Sequence, residues 1–271
     1  MAKVLVVTSG KGGVGKTTST AALGAALAQA GGKVVVVDFD VGLRNLDLVM
    51  GAERRVVFDL INVTQGVAKL QQALIRDKRL ENLWLLPASQ TRDKDALTDD
   101  GVRRVIADLR SKFDWVICDS PAGIERGATL AMRYADEAVI VTNPEVSSVR
   151  DSDRIIGMLD SKTAKAEKGE QVKKHVLVTR YDSGRASRGE MLSIEDILEI
   201  LATPLLGIIP ESQDVLKASN VGAPVTLNNA ASAPARAYAD AARRLMGESV
   251  VMSVPTERIS FMNRLLGRRA A

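Results

Sequence analysis

A mostly parallel, twisted α/β sheet with helices on both faces is the fold predicted for this 271-residue chain. Three observations predict it. Continuous β-branched apolar runs recur along the sequence, as strands buried on both faces require. Stretches of helical period separate them. A glycine-rich loop joins the first apolar run to the first helical stretch.

The first strand is placed at Lys3–Thr8, where Val4-Leu5-Val6-Val7 leaves no polar face. The same pattern predicts strands at Lys33–Asp38, Leu83–Pro87, Trp115–Asp119, Glu137–Thr142, His175–Thr179 and Leu205–Ile209. Helices are expected at Thr17–Ala30, Asp99–Ser111, Ser147–Ser161, Ile194–Leu201 and Pro234–Met246. Residues 162–174 are charged, poor in large apolar side chains, and read as a surface loop. After Gly247 the character changes. Residues 248–256 mix Ser, Val, Pro and Thr as a tether does, and 257–271 form an isolated amphipathic segment. The organisation is therefore a nucleotide-binding body at 1–247, a tether and a tail.

Composition narrows the function classes. With 46% hydrophobic and 26% charged residues, the chain has the balance of a soluble globular protein. The formal charge is +4, but residues 256–271 alone carry a net +3, which leaves about +1 for the body. A nucleic acid is thus not expected as the main partner. The one cysteine, Cys118, lies in an apolar run and excludes both an internal disulfide and a cysteine-ligated cluster. No signal peptide or membrane-spanning run is read, so a cytoplasmic protein is expected. His175, Trp84 and Trp115 sit in strand-like runs and read as structural, and Tyr134, Tyr181 and Tyr238 are scattered.

The stretch 10–18, Gly-Lys-Gly-Gly-Val-Gly-Lys-Thr-Thr, fits the phosphate-binding pattern Gly-x-x-x-x-Gly-Lys-Thr between a strand and a helix. That context makes the expected fold a P-loop NTPase. Gly12, Gly13 and Gly15 let the backbone around Val14 curl until its N–H groups, with those of Thr17 and Thr18, converge on phosphate at a helix N-terminus. Lys16 is placed at the β- and γ-phosphates and the Thr17 hydroxyl on Mg²⁺. Lys11 is a second lysine that the loop does not itself need. It is either a solvated surface charge or a group reaching the phosphates of a second subunit, as an arginine finger does in trans. The second predicted strand delivers Asp38 and Asp40 to the C-terminal edge of the sheet, where one carboxylate can orient water and a neighbour can hold Mg²⁺ through water; a pair of solvated turn aspartates is the alternative. Asp119 ends its strand as a Walker-B-type magnesium residue, ahead of a loop at 120–123 suited to sensing the γ-phosphate.

In the tail, Ile259, Phe261, Met262, Leu265 and Leu266 fall within about 160° of a helical wheel, with Arg264 opposite and Arg268 and Arg269 flanking the end. The pattern suits an interfacial helix on anionic lipid, or a helix docked on the protein's own core.

The string 11–18 resembles the deviant Walker A motif of the ParA/MinD ATPases, and strings at 38–47, 86–95, 118–123 and 142–153 extend the resemblance over the whole chain, to the MinD branch. The resemblance implies ATP and Mg²⁺ as cofactors, Lys11 reaching across an ATP-sandwiched homodimer, Asp40 positioning the hydrolytic water and Asp119 serving as Walker B. It also implies Arg180 and Pro210 in the adenine pocket and a C-terminal membrane-targeting helix. The expected activity is ATP hydrolysis coupled to division-septum placement at the inner membrane face, with a MinC-like septum inhibitor and a MinE-like regulator as partners. The rivals are a MinD-like regulator of flagellar number and a ParA-type DNA-segregation ATPase.

Overall fold

The computed structural model describes residues 2–90 and 96–255. Eight strands form one sheet: β1 (Lys3–Thr8), β2 (Val34–Asp38), β3 (Ile75–Arg76), β4 (Leu83–Leu86), β5 (Trp115–Asp119), β6 (Glu137–Thr142), β7 (Lys173–Tyr181) and β8 (Leu205–Pro210). Their order is β3-β4-β2-β5-β1-β6-β7-β8. All pairings are parallel except β3 with β4. Seven strands match those predicted to within two residues at either end. β3 was not predicted.

The apolar runs are continuous because the two faces of the sheet feed different cores. On β2, Val34 and Val36 enter one core and Val35 and Val37 the other; on β1, Leu5 and Val7 oppose Val4 and Val6. Full burial of such a side chain contributes about 1.5–3 kcal/mol. Cys118 lies wholly inside the second core, and burial pushes its thiol up to about 12, so it is a packing residue. A third, smaller core fills the β7–β8 end of the sheet.

The helices are α1 (Lys16–Gln29), α2 (Leu46–Val49), α3 (Leu60–Thr64), α4 (Leu70–Ala73), α5 (Asp99–Arg110), α6 (Arg126–Met132), α7 (Val146–Ser161), α8 (Ser183–Ser187), α9 (Ile194–Leu201), α10 (Gln213–Asn220), α11 (Val225–Asn228) and α12 (Ala233–Leu245). α1 is alanine-rich because it is packed on every side, between the sheet and α12. Gly24 marks the closest approach, where a Cβ would stand 2.7 Å from Val36 Cγ1. The 162–174 segment contains a single 3₁₀ turn at Ala166–Lys168 before β7 begins.

β1 is flanked by β5 and β6, so the chain leaves it in one direction and returns on the other. Such a switch point opens a crevice at the carboxyl ends of the strands. The loops after β1, β2 and β5 meet there. Among the described residues no helix is long and apolar enough to cross a membrane. Ile259, Phe261, Met262, Arg264, Leu265, Leu266 and Arg268 lie outside the described residues, as do 91–95.

Candidate active site

The loop after β1 curls through Gly13 and Gly15, both at positive φ (77° and 91°), where a side chain would be strained. Gly10 answers a different need, because a Cβ there would sit 2.3 Å from the Asp151 carbonyl oxygen of α7. Neighbours hold the curl from both sides. Ser9 Oγ donates to the Lys11 carbonyl at 2.7 Å, and Thr179 Oγ1 on β7 donates to the Val14 carbonyl at 2.7 Å. The loop opens directly onto α1, which has no side-chain cap and no acidic residue in its first turn. Those uncapped amides and the helix dipole suit an anion.

Lys16 is 8% exposed, and burial lowers its pKa while Asp119 and Asp40 act in the opposite sense. Asp38 and Asp119 are register partners on β2 and β5 and lie side by side, fully buried. Burial pushes the Asp119 carboxyl up to about 6, although hydrogen bonds from Thr17 and Thr20 and the Lys16 charge favour its ionised form. The Thr20 bond is 2.8 Å long. Asp38 is raised well above the carboxylate range by burial and then by Asp119. Burial and mutual repulsion push these two adjacent carboxyls toward their neutral forms, so a positive charge is what the crevice lacks to ionise both. That fits a divalent cation. Among the described residues no group of three His, Cys, Asp or Glu could hold a metal alone. The Thr17 hydroxyl and the carboxylates are the oxygen donors that would hold Mg²⁺ beside a bound phosphate.

Asp38 also shapes the loop that follows it. Its Oδ1 accepts the Asp40 amide at 2.8 Å and its Oδ2 the Leu46 amide at 3.2 Å. The loop between bends through Gly42 (φ 98°) and Arg44 (φ 48°), with Arg44 Nε 2.7 Å from Asp47 Oδ2. The Gly42 amide is held by the Ser89 carbonyl at 2.8 Å. Asp40 is half-buried at the mouth of this loop, close enough to Lys16 to influence its charge.

Lys11 is turned away from its own cradle. Its Nζ donates to Glu145 Oε2 at 3.1 Å and to Ser147 Oγ at 3.0 Å, at the start of α7, with the side chain 42% exposed. The structure thus separates the two lysines of the loop, one buried beside the carboxylates and one on the surface.

Beside the loop lies a cavity of about 300 Å³ walled by Val14, Gly15, Thr18, Arg180, Pro210 and Leu216, among others. Arg180 reaches it through a break in register between Val178 and Tyr181 on β7, where its own φ is 54°. Glu211, Gln213, Ser219 and Tyr238 also line the cavity and were not expected there. Tyr238 OH lies 2.9 Å from Ser19 Oγ, and burial pushes its phenol up to about 12. A buried tyrosine on a core helix gives no signal in sequence that one edge of its ring faces a cavity.

A family model for the CobQ/CobB/MinD/ParA nucleotide-binding domain matches residues 5–225. The chain is 62% identical over 270 residues to the septum site-determining protein MinD of Escherichia coli K12, covering 98% of this chain and all of that protein. Among solved structures it is similar to the MinC:MinD cell division protein complex of Aquifex aeolicus, with 44% identity, a TM-score of 0.80, and 95% and 99% of the two chains covered. It is also similar to MinD complexed with Mg-ADP from Pyrococcus horikoshii, with 33% identity, a TM-score of 0.79, and 90% and 96% covered. The chain therefore belongs to the CobQ/CobB/MinD/ParA nucleotide-binding family, in its MinD branch.

Proposed function

We propose that this protein is a Mg²⁺-dependent ATPase of division-septum placement, which pairs around ATP and in that state binds the cytoplasmic face of the inner membrane. The division of labour between the two loop lysines carries the reading. Lys16 is committed to its own crevice, and Lys11 is exposed at the rim, held by two side chains it can exchange for phosphate oxygens of a facing copy. In a pair, each Lys11 would complete the other's site, as a charge supplied in trans does in phosphoryl transfer. Thr17 and Asp119 hold Mg²⁺, with Asp38 fixing the loop behind them. Asp40, half-buried at the mouth, orients the attacking water. The cavity beside Arg180 and Pro210 takes the adenine.

When bound, Mg²⁺ supplies charge neutralisation at the phosphates. The chain's own residues bind, orient and exclude water around it. Support for the partners comes from relatives: the Aquifex aeolicus MinD stands in a complex with MinC, and the Escherichia coli MinD is named for septum-site determination. A MinC-like inhibitor and a MinE-like regulator are the partners assigned here.

Substituting the lysines separately tests the proposal. Lys16→Ala removes a charge-assisted phosphate contact of about 1.5–3 kcal/mol, so ATP affinity falls on the order of 10–100-fold. Lys11→Ala leaves monomer nucleotide affinity near normal and abolishes ATP-dependent pairing in light scattering. Pairing at wild-type strength in Lys11→Ala would reject the trans role.

A further inference from the structure

Of the stretch 248–256, expected from composition to be a tether, residues 248–255 lie along the body. Gly247 ends α12 in the left-handed region (φ 94°) and reverses the chain. The Glu248 amide donates to the Arg243 carbonyl at 3.0 Å, and its carboxylate pairs with Arg243 Nε at 2.8 Å. One side chain then holds the returning strap. Arg244 Nε donates to the Val250 carbonyl at 3.1 Å, Nη2 to the Val251 carbonyl at 2.9 Å, and Nη1 to the Leu206 carbonyl of β8 at 2.8 Å. Three acceptors in three directions need the fixed fork of a guanidinium; an ammonium on a flexible stem does not reproduce it.

The clamp decides where the strap ends. The foot of α12 lies at the amino ends of the strands, where the Leu245 carbonyl accepts from Lys3 Nζ at 3.3 Å. Beyond Val251 the chain climbs back, and Ser253, Val254 and Pro255 line a groove of about 640 Å³ with Pro210 of β8 and Ala233 at the head of α12. The groove runs along the flank of the body, between the second half of β8 and α12 from Ala233 to Asp240. The four steps from Val251 to Pro255 cover at most about 14 Å, so the strap moves the start of the C-terminal segment by up to that distance along the flank.

We propose that Arg244 is a positioning residue for the C-terminal segment: by clamping the strap to β8 it fixes the point on the flank of the body from which residues 256 onward leave. The inference rests on the membrane role proposed for that segment. Pairing around ATP would then hold the two launch points at a fixed separation. Releasing the clamp would add about eight loose residues to each connection. Effective concentration falls as roughly the −3/2 power of linker length, so two-tailed binding should weaken about three- to tenfold.

The test uses the full chain with a nitroxide on Ser253→Cys, since the buried Cys118 thiol does not compete for the label. Label mobility without lipid, and titration with phosphatidylglycerol–phosphatidylcholine vesicles in ATP, are compared for wild type, R244K and R244A. The expected result is an immobilised label in wild type, a mobile one in both variants, and a three- to tenfold higher lipid requirement at unchanged lipid-free ATP turnover. A label equally immobile in the variants overturns the clamp. A freed label with an unchanged lipid titration overturns the launching role. Wild type that ignores vesicles in ATP overturns the membrane reading and the launching role with it, and label mobility still decides the clamp. R244Q carries the same comparison if R244A does not fold.

Discussion

Lys16 is a cation among buried carboxylates, whereas Glu137 at the other end of the sheet is an anion among cations. Glu137 Oε1 lies 3.1 Å from Lys3 Nζ, and its Oε2 lies 3.2 Å from His175 Nε2 and 4.0 Å from Lys173 Nζ. Burial alone would raise its carboxyl, yet the hydrogen bonds from His175 and Lys3 and the lysine charges outweigh it and bring the value from 4.5 to about 2. A carboxylate whose folded value lies below its unfolded one adds stability above the unfolded value and loses it as pH falls through the folded one. Glu137→Gln should therefore be less stable than wild type at pH 7 in urea unfolding. The gap should hold down to about pH 5 and close between 4.5 and about 2; a gap independent of pH would contradict the assignment. Asp40 supports a kinetic prediction. If it orients water, Asp40→Ala still binds ATP and pairs but hydrolyses about 10²-fold or more slowly, as loss of a positioned acid–base group does. Near-normal turnover would remove it from the chemistry. At this scale the sequence showed which carboxylates end strands. It did not show that Asp38 holds two amides of the next loop, because that depends on the Gly42 and Arg44 backbone.

Among the elements, the loop–α1 junction is where local sequence and tertiary packing meet. Motif spacing located the loop, but the reason for Gly10 lies in α7, more than a hundred residues away. Gly10→Ala would force the loop or α7 to move, since the obstacle is backbone. The expected cost is about 1–3 kcal/mol of stability, as for overpacking elsewhere, with a drop in ATP affinity measurable by calorimetry. Unchanged values in both would show that the two elements are not in rigid contact. The elements missed or cut short in sequence have separate causes. β3 is two residues long and antiparallel, too short for a period. α10 has few apolar residues and leaves Leu216 56% exposed, because one of its faces walls a cavity instead of a core. β7 runs beyond the apolar stretch expected of it at both ends, and its break in register turns Arg180 toward the cavity beside the phosphate loop.

In the whole molecule, the phosphate loop and Lys11 lie at the carboxyl end of the sheet, and the strap to Pro255 runs along the flank between α12 and β8. Alternating apolar and helical segments made the architecture legible, because a sheet buried on both faces admits few sequences. The course of the strap was not legible, since Arg244 is one arginine on a helix and its three acceptors come from two other segments. The central claim is that ATP switches this body onto a membrane through its C-terminal segment. Five apolar side chains at ~1.5–3 kcal/mol each give a gross gain of roughly 8–15 kcal/mol, much of which ordering and association remove. One tail should thus bind weakly and two together on the order of 10²–10⁴-fold better. The most direct measurement is cosedimentation with anionic liposomes in ATP and in ADP, for the full chain and a version ending at Val254. The account predicts that only the full chain pellets, and only with ATP. Pelleting of the truncated chain with ATP, or equal pelleting of the full chain in ADP, would contradict it.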